Sequence, residues 1–339
     1  MRPHRQHGIA LVAVLWVLIL LSVMAAGLLR DTRVETQVAR NLVDGARARA
    51  LADAGVYRAI LSLRNPTEEL KFGAETEKLL EDRAGIREAL LSRPEVQEAL
   101  KERAGFLAES LEFASAAEAW RADGTIYVWD FDGSTVLISV QDEAGKVDLN
   151  RASDDLLEGL FVVVGVEQEQ AVELVHAIAD FRDDDDIRRP TGAEDDAYRA
   201  AGYAWEAKDA PFETVAELEQ VIGMTRDIYD RVAPFLTVHA TRRGRIDPAT
   251  APAVVLRAIP GADAGQIETL LDARAESDDG GVEDSPTLSG VGDYVGRSRG
   301  RVFTIRAEVI TVSGGGFVRE AIVRLSPRRS RSFQVLAWR

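Results

Sequence analysis

The stretch Gly8-Ile9-Ala10-Leu11-Val12-Ala13-Val14-Leu15-Trp16 opens an apolar run that continues to Leu29 without a charged residue or a proline. A helix of about twenty such residues is roughly 30 Å long, which is the thickness of the hydrocarbon core of a bilayer. Arg2 and Arg5 precede the run, and positive charge favours the cytoplasmic side of a membrane. The sequence therefore predicts a single transmembrane helix, with a cytoplasmic N-terminus and the rest of the chain across the membrane.

This apolar run fits three kinds of membrane signal. An ordinary signal peptide has a shorter apolar region, and Met24-Ala25-Ala26-Gly27 offers it only a fair cleavage site. A plain signal anchor fits the length. Gly8 directly before Ile9, at the boundary between polar and apolar residues, resembles the class III signal of type IV pilins and pseudopilins, which we favour. That resemblance implies a prepilin peptidase that cuts between Gly8 and Ile9 and methylates the new N-terminus.

One position departs from the pilin pattern in an informative way. The family usually carries a glutamate five residues into the mature chain, where this sequence has Ala13. A carboxylate inside lipid is costly unless it has a partner, and the resemblance implies that this partner is the terminal ammonium of a neighbouring subunit. A subunit with no neighbour above it has no such partner. Ala13 therefore indicates a subunit at the tip of a filament.

The composition excludes several kinds of site. The chain of 339 residues carries a net charge of −15, which repels phosphate backbones and anionic lipid headgroups. It has no cysteine, so disulfides, thiol nucleophiles and cysteine-ligated metals are excluded. Two of the four histidines lie in the leader, and His176 and His239 are isolated in sequence. We therefore expect no catalytic residues and no nucleic-acid ligand.

Hydrophobic periodicity divides the chain beyond the membrane run. Helical spacing continues from Arg30 until Asn65-Pro66 ends the helix. Residues 65–116 are rich in Glu, Leu, Ala and Arg, and they predict an insertion of short amphipathic helices. The β-rich segments on either side of Asp132-Gly133 predict a hairpin that packs on the long helix. Alternating segments after Arg301 predict another hairpin and a final strand.

The middle of the chain contains an internal repeat. Gly145-Lys146-Val147-Asp148-Leu149-Asn150 is echoed by Gly244-Arg245-Ile246-Asp247-Pro248-Ala249. Each copy leads into a predicted helix, a turn at Gly165 or Gly261, and a second helix, and a similar unit turns at Gly223. These units resemble helix-hairpin-helix motifs, which hold phosphate in DNA-repair proteins with the help of nearby Lys or Arg. Acidic residues stand at these turns instead, so we expect a scaffold and not a DNA-binding surface.

An acidic loop follows the first of these units. Four consecutive aspartates, Asp183 to Asp186, precede a second acidic cluster, Glu194-Asp195-Asp196. So many carboxylates in a folded loop repel one another unless water or a cation neutralises them. Oxygen ligands in this number suit Ca²⁺, although their spacing does not match an EF-hand. A solvated loop is the alternative, and nearby aromatic residues favour calcium. Asp278 to Asp284 form a weaker candidate.

Several motifs taken together resemble the type II secretion minor pseudopilin K family, also called general secretion pathway protein K. They are the signal at Gly8-Ile9, the missing glutamate at Ala13, and the segments 142–150, 180–186, 192–195, 211–218 and 335–339. The resemblance implies an α+β fold. In that fold a pilin-like long N-terminal transmembrane helix packs on an antiparallel sheet, and a large α-helical domain with helix-hairpin-helix (SAM-like) units is inserted.

The domain boundaries expected from motifs and resemblance together are these: a cleaved cytoplasmic leader, 1–8; the transmembrane helix, 9–29; its periplasmic continuation, 30–64; a helical insertion, 65–116; the sheet, 117–150 and 301–339; the inserted helical domain, 151–300.

The resemblance also implies ligands, partners and a location. Calcium is expected at the acidic loop, on Asp183, Asp185, Asp186, Glu194 and Asp195. The expected partners are minor pseudopilins I and J, the major pseudopilin and the prepilin peptidase, with the secretin or a secreted substrate as further contacts. The expected location is the bacterial inner membrane, crossed once, with most of the chain in the periplasm. The implied role is mechanical: starting and capping the pseudopilus for export across the outer membrane.

Two other functions remain open from the sequence. A minor pilin of a type IV pilus would carry the same anchor, but a helix-hairpin-helix insertion is unexpected there. A membrane-anchored periplasmic enzyme, or a DNA-binding helix-hairpin-helix protein, is less favoured. The sequence has no cysteine, only two isolated histidines beyond the leader and acidic hairpins.

Overall fold

The computed structural model describes residues 7–64, 113–115, 120–131, 133–239, 244–276, 288–298, 301–311, 316–326 and 333–339. The side chains of residues 7–11, 25–36 and 113–115 are not among those described. Most of the predicted leader, nearly all of the 65–116 insertion and the weaker acidic candidate at Asp278–Asp284 lie outside the described residues.

A single long helix, α1 (His7–Arg64), forms the first part of the fold. It contains 58 residues and ends at Arg64, and the break predicted at Asn65-Pro66 lies outside the described residues. At 1.5 Å per residue this helix is roughly 87 Å long. Within the described part of the chain, no helix combines the length and the apolarity needed to cross a membrane.

An antiparallel sheet lies against the second half of α1. The described strands of this sheet are β1 (Phe113–Ser115), β2 (Asp123–Phe131), β3 (Ser134–Asp142), β6 (Val302–Ile310), β7 (Gly316–Leu325) and β8 (Phe333–Trp338). They follow the order β1-β2-β3-β6-β7-β8 across the sheet. Neighbours are antiparallel except for the parallel pair β1 and β2. Both predicted hairpins are confirmed, because β2 pairs with β3 and β6 with β7.

The strand β1 corrects one prediction. Phe113–Ser115 lie in the segment predicted to be helical, yet they pair with Ile126 to Val128 of β2. The edge of β2 offers backbone hydrogen bonds that the helical pattern of the surrounding sequence does not reveal.

The sheet and α1 share one hydrophobic core. Among the described side chains of α1, the buried hydrophobic ones are Ala48, Leu51, Ala52, Val56, Ala59 and Ile60, and they pack on inward-facing residues of β3, β6 and β7. Gly55 allows the helix to approach closely, because a Cβ atom there would lie 3.0 Å from Ala307 Cβ and 3.1 Å from Val136 Cγ1. The predicted packing of the hairpin on the long helix is therefore confirmed.

A helical domain, residues 143–298, is inserted between the neighbouring strands β3 and β6. Its α-helices are α2 (Asp154–Val163), α3 (Gln168–Arg182), α4 (Asp195–Ala200), α5 (Arg226–Val232), α6 (Ala253–Arg257) and α7 (Ala264–Glu276). Short strands β4 (Val147–Asp148) and β5 (Leu236–Thr237) pair in parallel. Residues 147–148 thus pair within this domain and not in the main sheet, where the boundary 117–150 placed them.

The internal repeat is confirmed in the local geometry of its two copies. Asp148 Oδ1 accepts the Asn150 N–H at 2.9 Å, and Asp247 Oδ1 accepts the Ala249 N–H at 2.9 Å. The turn between α2 and α3 contains Gly165 with φ of +86°, and the turn between α6 and α7 contains Gly261 with φ of +74°. These left-handed positions explain the glycines that marked the turns in the sequence.

The third predicted unit differs in its first helix. Val215–Gln220 form a 3₁₀ helix that begins with a capping box between Thr214 and Glu217. Gly223, with φ of +83°, then precedes α5 as predicted.

Candidate functional site

The acidic loop, residues 183–196, connects α3 to α4. Asp183 caps the C-terminus of α3, where its N–H donates to the Ala179 carbonyl at 3.1 Å. A turn follows in which the Gly192 N–H donates to the Arg189 carbonyl at 3.1 Å. Glu194 is the N-cap residue of α4, and its carbonyl accepts the Ala197 N–H at 2.8 Å. The backbone of the loop is therefore held at both ends and at its turn.

A cluster of aromatic side chains packs beneath the loop. Phe181 stacks on Phe212 with ring centroids 5.2 Å apart, and it contacts Tyr198 at 6.2 Å. Tyr198 is fully buried, and its hydroxyl accepts the Ile222 N–H at 3.1 Å. The aromatic residues that favoured an ordered loop in the sequence do form a packed base, since Phe181 and Tyr198 come from the two helices that the loop connects.

Two carboxylates in this region contain oxygens without a partner. Glu194 is only 6% exposed. Among the described residues, neither Glu194 Oε1 nor Asp183 Oδ1 has a hydrogen-bond partner, although both atoms are buried. Leaving a charged oxygen buried and unpaired is costly, so these atoms require either a proton or a positive charge close by.

The pKa of Glu194 also indicates that this carboxylate requires a proton or a nearby positive charge. Burial, followed in decreasing order by the negative charges of Asp180, Asp183, Asp209 and Asp186, raises the pKa of Glu194 to about 7. Burial and the neighbouring Asp185 and Asp180 carboxylates also raise the pKa of Asp183. Both ligand candidates therefore lie in an environment that disfavours their negative charge until a cation compensates it.

The predicted ligands are not all placed alike. The negative charges of Asp183 and Asp186 act on Glu194, and that of Asp185 acts on Asp183. Asp185 Oδ1 also accepts the Ile187 N–H at 2.9 Å. Asp195 Oδ1 accepts the Ala207 N–H at 3.1 Å, and its Oδ2 lies 3.4 Å from Arg199 Nη2.

The side chains are not arranged as a finished coordination shell. Within the described residues, no group of three or more histidine, aspartate or glutamate side chains is positioned to hold a metal ion. The donor types nevertheless fit a hard cation, because the unpaired atoms are carboxylate oxygens.

Two residues near this site were not among the predicted ligands. Asp180 lies on the buried face of α3, and it is fully inaccessible to solvent. Asp209 is far along the chain, yet its charge raises the pKa of Glu194. Asp209 is also the one non-glycine residue with positive φ, at 52°, in the described part of the chain. A carboxylate on the apolar face of a helix was the available signal for Asp180, whereas no local pattern marks Asp209.

The fold defines the class of this protein. A long N-terminal helix packs on an antiparallel sheet, and a helical domain is inserted between two neighbouring strands, which makes the protein a mixed α+β one of the predicted kind.

Comparison with known proteins shows similarity to one family. Residues 137–241 match the family described as "Type II secretion system (T2SS), protein K". The type II secretion system protein K of Pseudomonas aeruginosa is 24% identical over 94% of this chain and 87% of the relative. The protein K of Klebsiella pneumoniae is 27% identical over 80% of this chain and 76% of the relative. These similarities confirm the resemblance to the type II secretion system protein K family that was drawn from the motifs.

One solved structure is similar as well. It is the GspK-GspI-GspJ complex from the type 2 secretion system of enterotoxigenic Escherichia coli. The matched chain is 17% identical, with a TM-score of 0.49, over 78% of this chain and 98% of that chain.

Proposed function

We propose that this protein is a minor pseudopilin of a type II secretion system, which joins minor pseudopilins I and J in a tip complex. That complex would start and cap the periplasmic pseudopilus for protein export across the outer membrane. Similarity to the Pseudomonas aeruginosa protein K over 94% of this chain, together with the family match to residues 137–241, is the observation that carries the proposal. Ala13 supports the tip position, because it replaces the glutamate that a subunit inside a filament uses toward its neighbour.

The structure supports a mechanical role. Residues 48–60 of α1 contribute to the core of the sheet, and the rest of the helix extends toward its N-terminus. A force applied to the N-terminal part of α1 would therefore be transmitted directly to the sheet. The inserted helical domain adds bulk to the sheet, which suits a subunit that ends a filament.

Co-assembly tests this role. The full chain, produced with the I and J proteins of the same genome and solubilised in detergent, is expected to elute with both as one species. The major pseudopilin in place of protein J serves as a control that should not complete the complex. Separate elution of the three proteins, with calcium present, would contradict the tip-complex role and favour a pilus subunit or an enzyme.

The anchor would place the protein in the inner membrane, with its N-terminus in the cytoplasm and most of the chain in the periplasm. The uncharged run from Ile9 to Leu29 and the arginines before it support this orientation. Cleavage after Gly8 by a prepilin peptidase would leave a methylated N-terminus. A Gly8→Glu variant should remain unprocessed while a Gly27→Ala variant is processed normally, as followed by mass spectrometry. Normal processing of Gly8→Glu would refute the assignment.

Calcium is the proposed ligand of the acidic loop. The unpaired buried oxygens of Asp183 and Glu194 support it, and Asp186 is the third predicted ligand in their electrostatic environment. Asp185 and Asp195, also predicted, each use one carboxylate oxygen to accept a backbone N–H. A bound calcium ion would neutralise the mutual repulsion of these carboxylates and stabilise the loop.

Thermal unfolding of the full chain tests the calcium site. Millimolar calcium should raise the melting temperature, and a chelator should reverse the rise. Magnesium should raise the melting temperature only weakly, because it requires stricter octahedral geometry. An identical melting temperature with calcium and with chelator would exclude the site.

The helix pairs α2–α3 and α6–α7 are proposed to be helix-hairpin-helix units used as scaffold. Their left-handed glycine turns support the motif. Glu167 and Asp263, which follow these turns, support a structural use without nucleic acid, because carboxylates repel phosphate. Retention of the protein on double-stranded DNA at 150 mM salt would contradict this view.

A further inference from the structure

The Asp180 carboxylate connects the end of α3 to the far side of the acidic loop. The Arg189 N–H donates to it at 3.3 Å from Oδ1 and 3.2 Å from Oδ2. A second backbone amide, that of Ala193, also hydrogen-bonds to this carboxylate. The Arg189 guanidinium lies 3.7 Å away through Nε and reaches Asp154 in α2 as well. One fully buried side chain thus holds both ends of the segment 189–193.

Gly192 shows how tightly the loop closes on Asp180. A Cβ atom at Gly192 would lie 2.0 Å from Asp180 Oδ2 and 2.7 Å from Asp180 Cγ. No side chain can occupy that space without displacing the carboxylate. The Gly192 carbonyl also accepts the Arg188 Nε–H at 2.9 Å, so the turn is fixed from both sides.

We propose that Asp180 is a positioning residue of the acidic site, which folds segment 189–193 back onto α3 so that Glu194 faces Asp183. This inference rests on the proposed calcium site. Asp180 is not assigned as a ligand, because backbone amides and the Arg189 guanidinium already use its oxygens. Glu194 immediately follows the segment that Asp180 holds, and Asp183 lies one helical turn beyond Asp180. Losing this anchor therefore separates the two unpaired carboxylates.

An asparagine at position 180 disrupts this arrangement with little change in volume. The NH₂ group of asparagine is a hydrogen-bond donor, so it cannot accept a hydrogen bond from the backbone N–H groups that face it. The matched control is Asp247→Asn. Asp247 is also buried, and it accepts the Ala249 N–H at 2.9 Å and the Ser298 N–H at 2.6 Å, in the second repeat.

Two measurements on the full chain test the proposal. Hydrogen–deuterium exchange without calcium should become faster across residues 187–196 in Asp180→Asn and stay unchanged there in Asp247→Asn. Titration with calcium alone, followed by calorimetry, should show affinity reduced about 10- to 100-fold in Asp180→Asn only, which is the usual effect of removing a supporting residue. Should Asp180→Asn fail to fold, Gly192→Ala carries the same test from the loop side.

The outcomes separate this proposal from the calcium site itself. Unchanged exchange in the loop, or equal calcium affinity of Asp180→Asn and wild type, would overturn the positioning role. Absence of calcium binding by the wild type would refute the proposed site, and the exchange data would then decide alone whether Asp180 closes the loop.

Discussion

A buried ion pair connects the sheet to the helical domain, and breaking it gives the sharpest prediction. Lys146 Nζ lies 2.6 Å from Glu143 Oε1, and both side chains are almost inaccessible to solvent. Glu143 also accepts hydrogen bonds from the hydroxyls of Thr304 in β6, at 2.6 Å, and Thr237 in β5. Burial opposes ionisation of Glu143, but the Lys146 ammonium and the hydroxyls outweigh it, so the pKa of Glu143 lies below its ordinary value.

Lys146→Met should leave the Glu143 carboxylate buried without its cation. Breaking a buried pair from one side costs about 3–5 kcal/mol, and we expect a loss of that size in the free energy of unfolding. The double variant Glu143→Gln with Lys146→Met should recover part of it, because no charge then remains buried. Urea denaturation at neutral pH, monitored by far-UV circular dichroism in detergent, measures the free energy of unfolding of the wild type, the single variant and the double variant.

The matched control is an ion pair of similar length on the surface. Arg226 Nη1 lies 2.7 Å from Glu219 Oε1, and both side chains are well exposed. Arg226→Met should cost far less than Lys146→Met, because water screens an exposed ion pair. If Lys146→Met costs no more than Arg226→Met, the argument that burial makes the Glu143 pair critical to the junction is wrong.

Three further predictions concern other buried groups. Burial raises the pKa of Asp142 to about 7, so the folded state binds a proton more tightly than the unfolded state. The free energy of unfolding should therefore fall as the pH rises from about 4 to about 7, and Asp142→Asn should flatten that slope in urea titrations at several pH values. Gly55→Leu should destabilise the protein by about 1–3 kcal/mol, because α1 contacts the sheet there. Gly45→Leu, with no atom within 4 Å of its Cβ, should be neutral or gain up to about 1 kcal/mol; equal melting temperatures of the two would contradict the packing. Glu194→Gln should raise the stability of the calcium-free protein at pH 8 by about 1 kcal/mol or more, and it should abolish the calcium-dependent shift; a retained shift would exclude Glu194 as a ligand.

Local features of the chain were predictable because they depend on neighbouring residues. The length of α1 followed from helical periodicity and from the proline after Arg64. The β2–β3 hairpin followed from alternation and from Asp132-Gly133. The duplicated segments around Asp148 and Asp247 share the same local hydrogen bond, so their likeness in sequence became a likeness in structure. The resemblance to the protein K family, too, was evident from such motifs alone.

The candidate site was predictable only in part. The acidic loop was evident from its composition, and Asp183 and Glu194 were among its predicted ligands. Its arrangement depended on distant residues and on backbone contacts. Asp209, which lies beyond α4 in the chain, raises the pKa of Glu194. Asp185 and Asp195 each accept a hydrogen bond from a backbone amide.

The sequence by itself determined the long helix, the two main hairpins, the glycine turns, the acidic character of the loop and the resemblance to the protein K family. The tertiary structure decided which groups meet. Glu143 contacts a threonine 161 positions away, and Val147 pairs with Leu236 across the whole first unit. Periodicity and turn chemistry report on contacts a few residues apart, whereas the pairing of distant segments follows from burying one shared core. For that reason the sequence predicted an acidic site, and only the fold showed that Asp180 accepts hydrogen bonds from the backbone amides of Arg189 and Ala193.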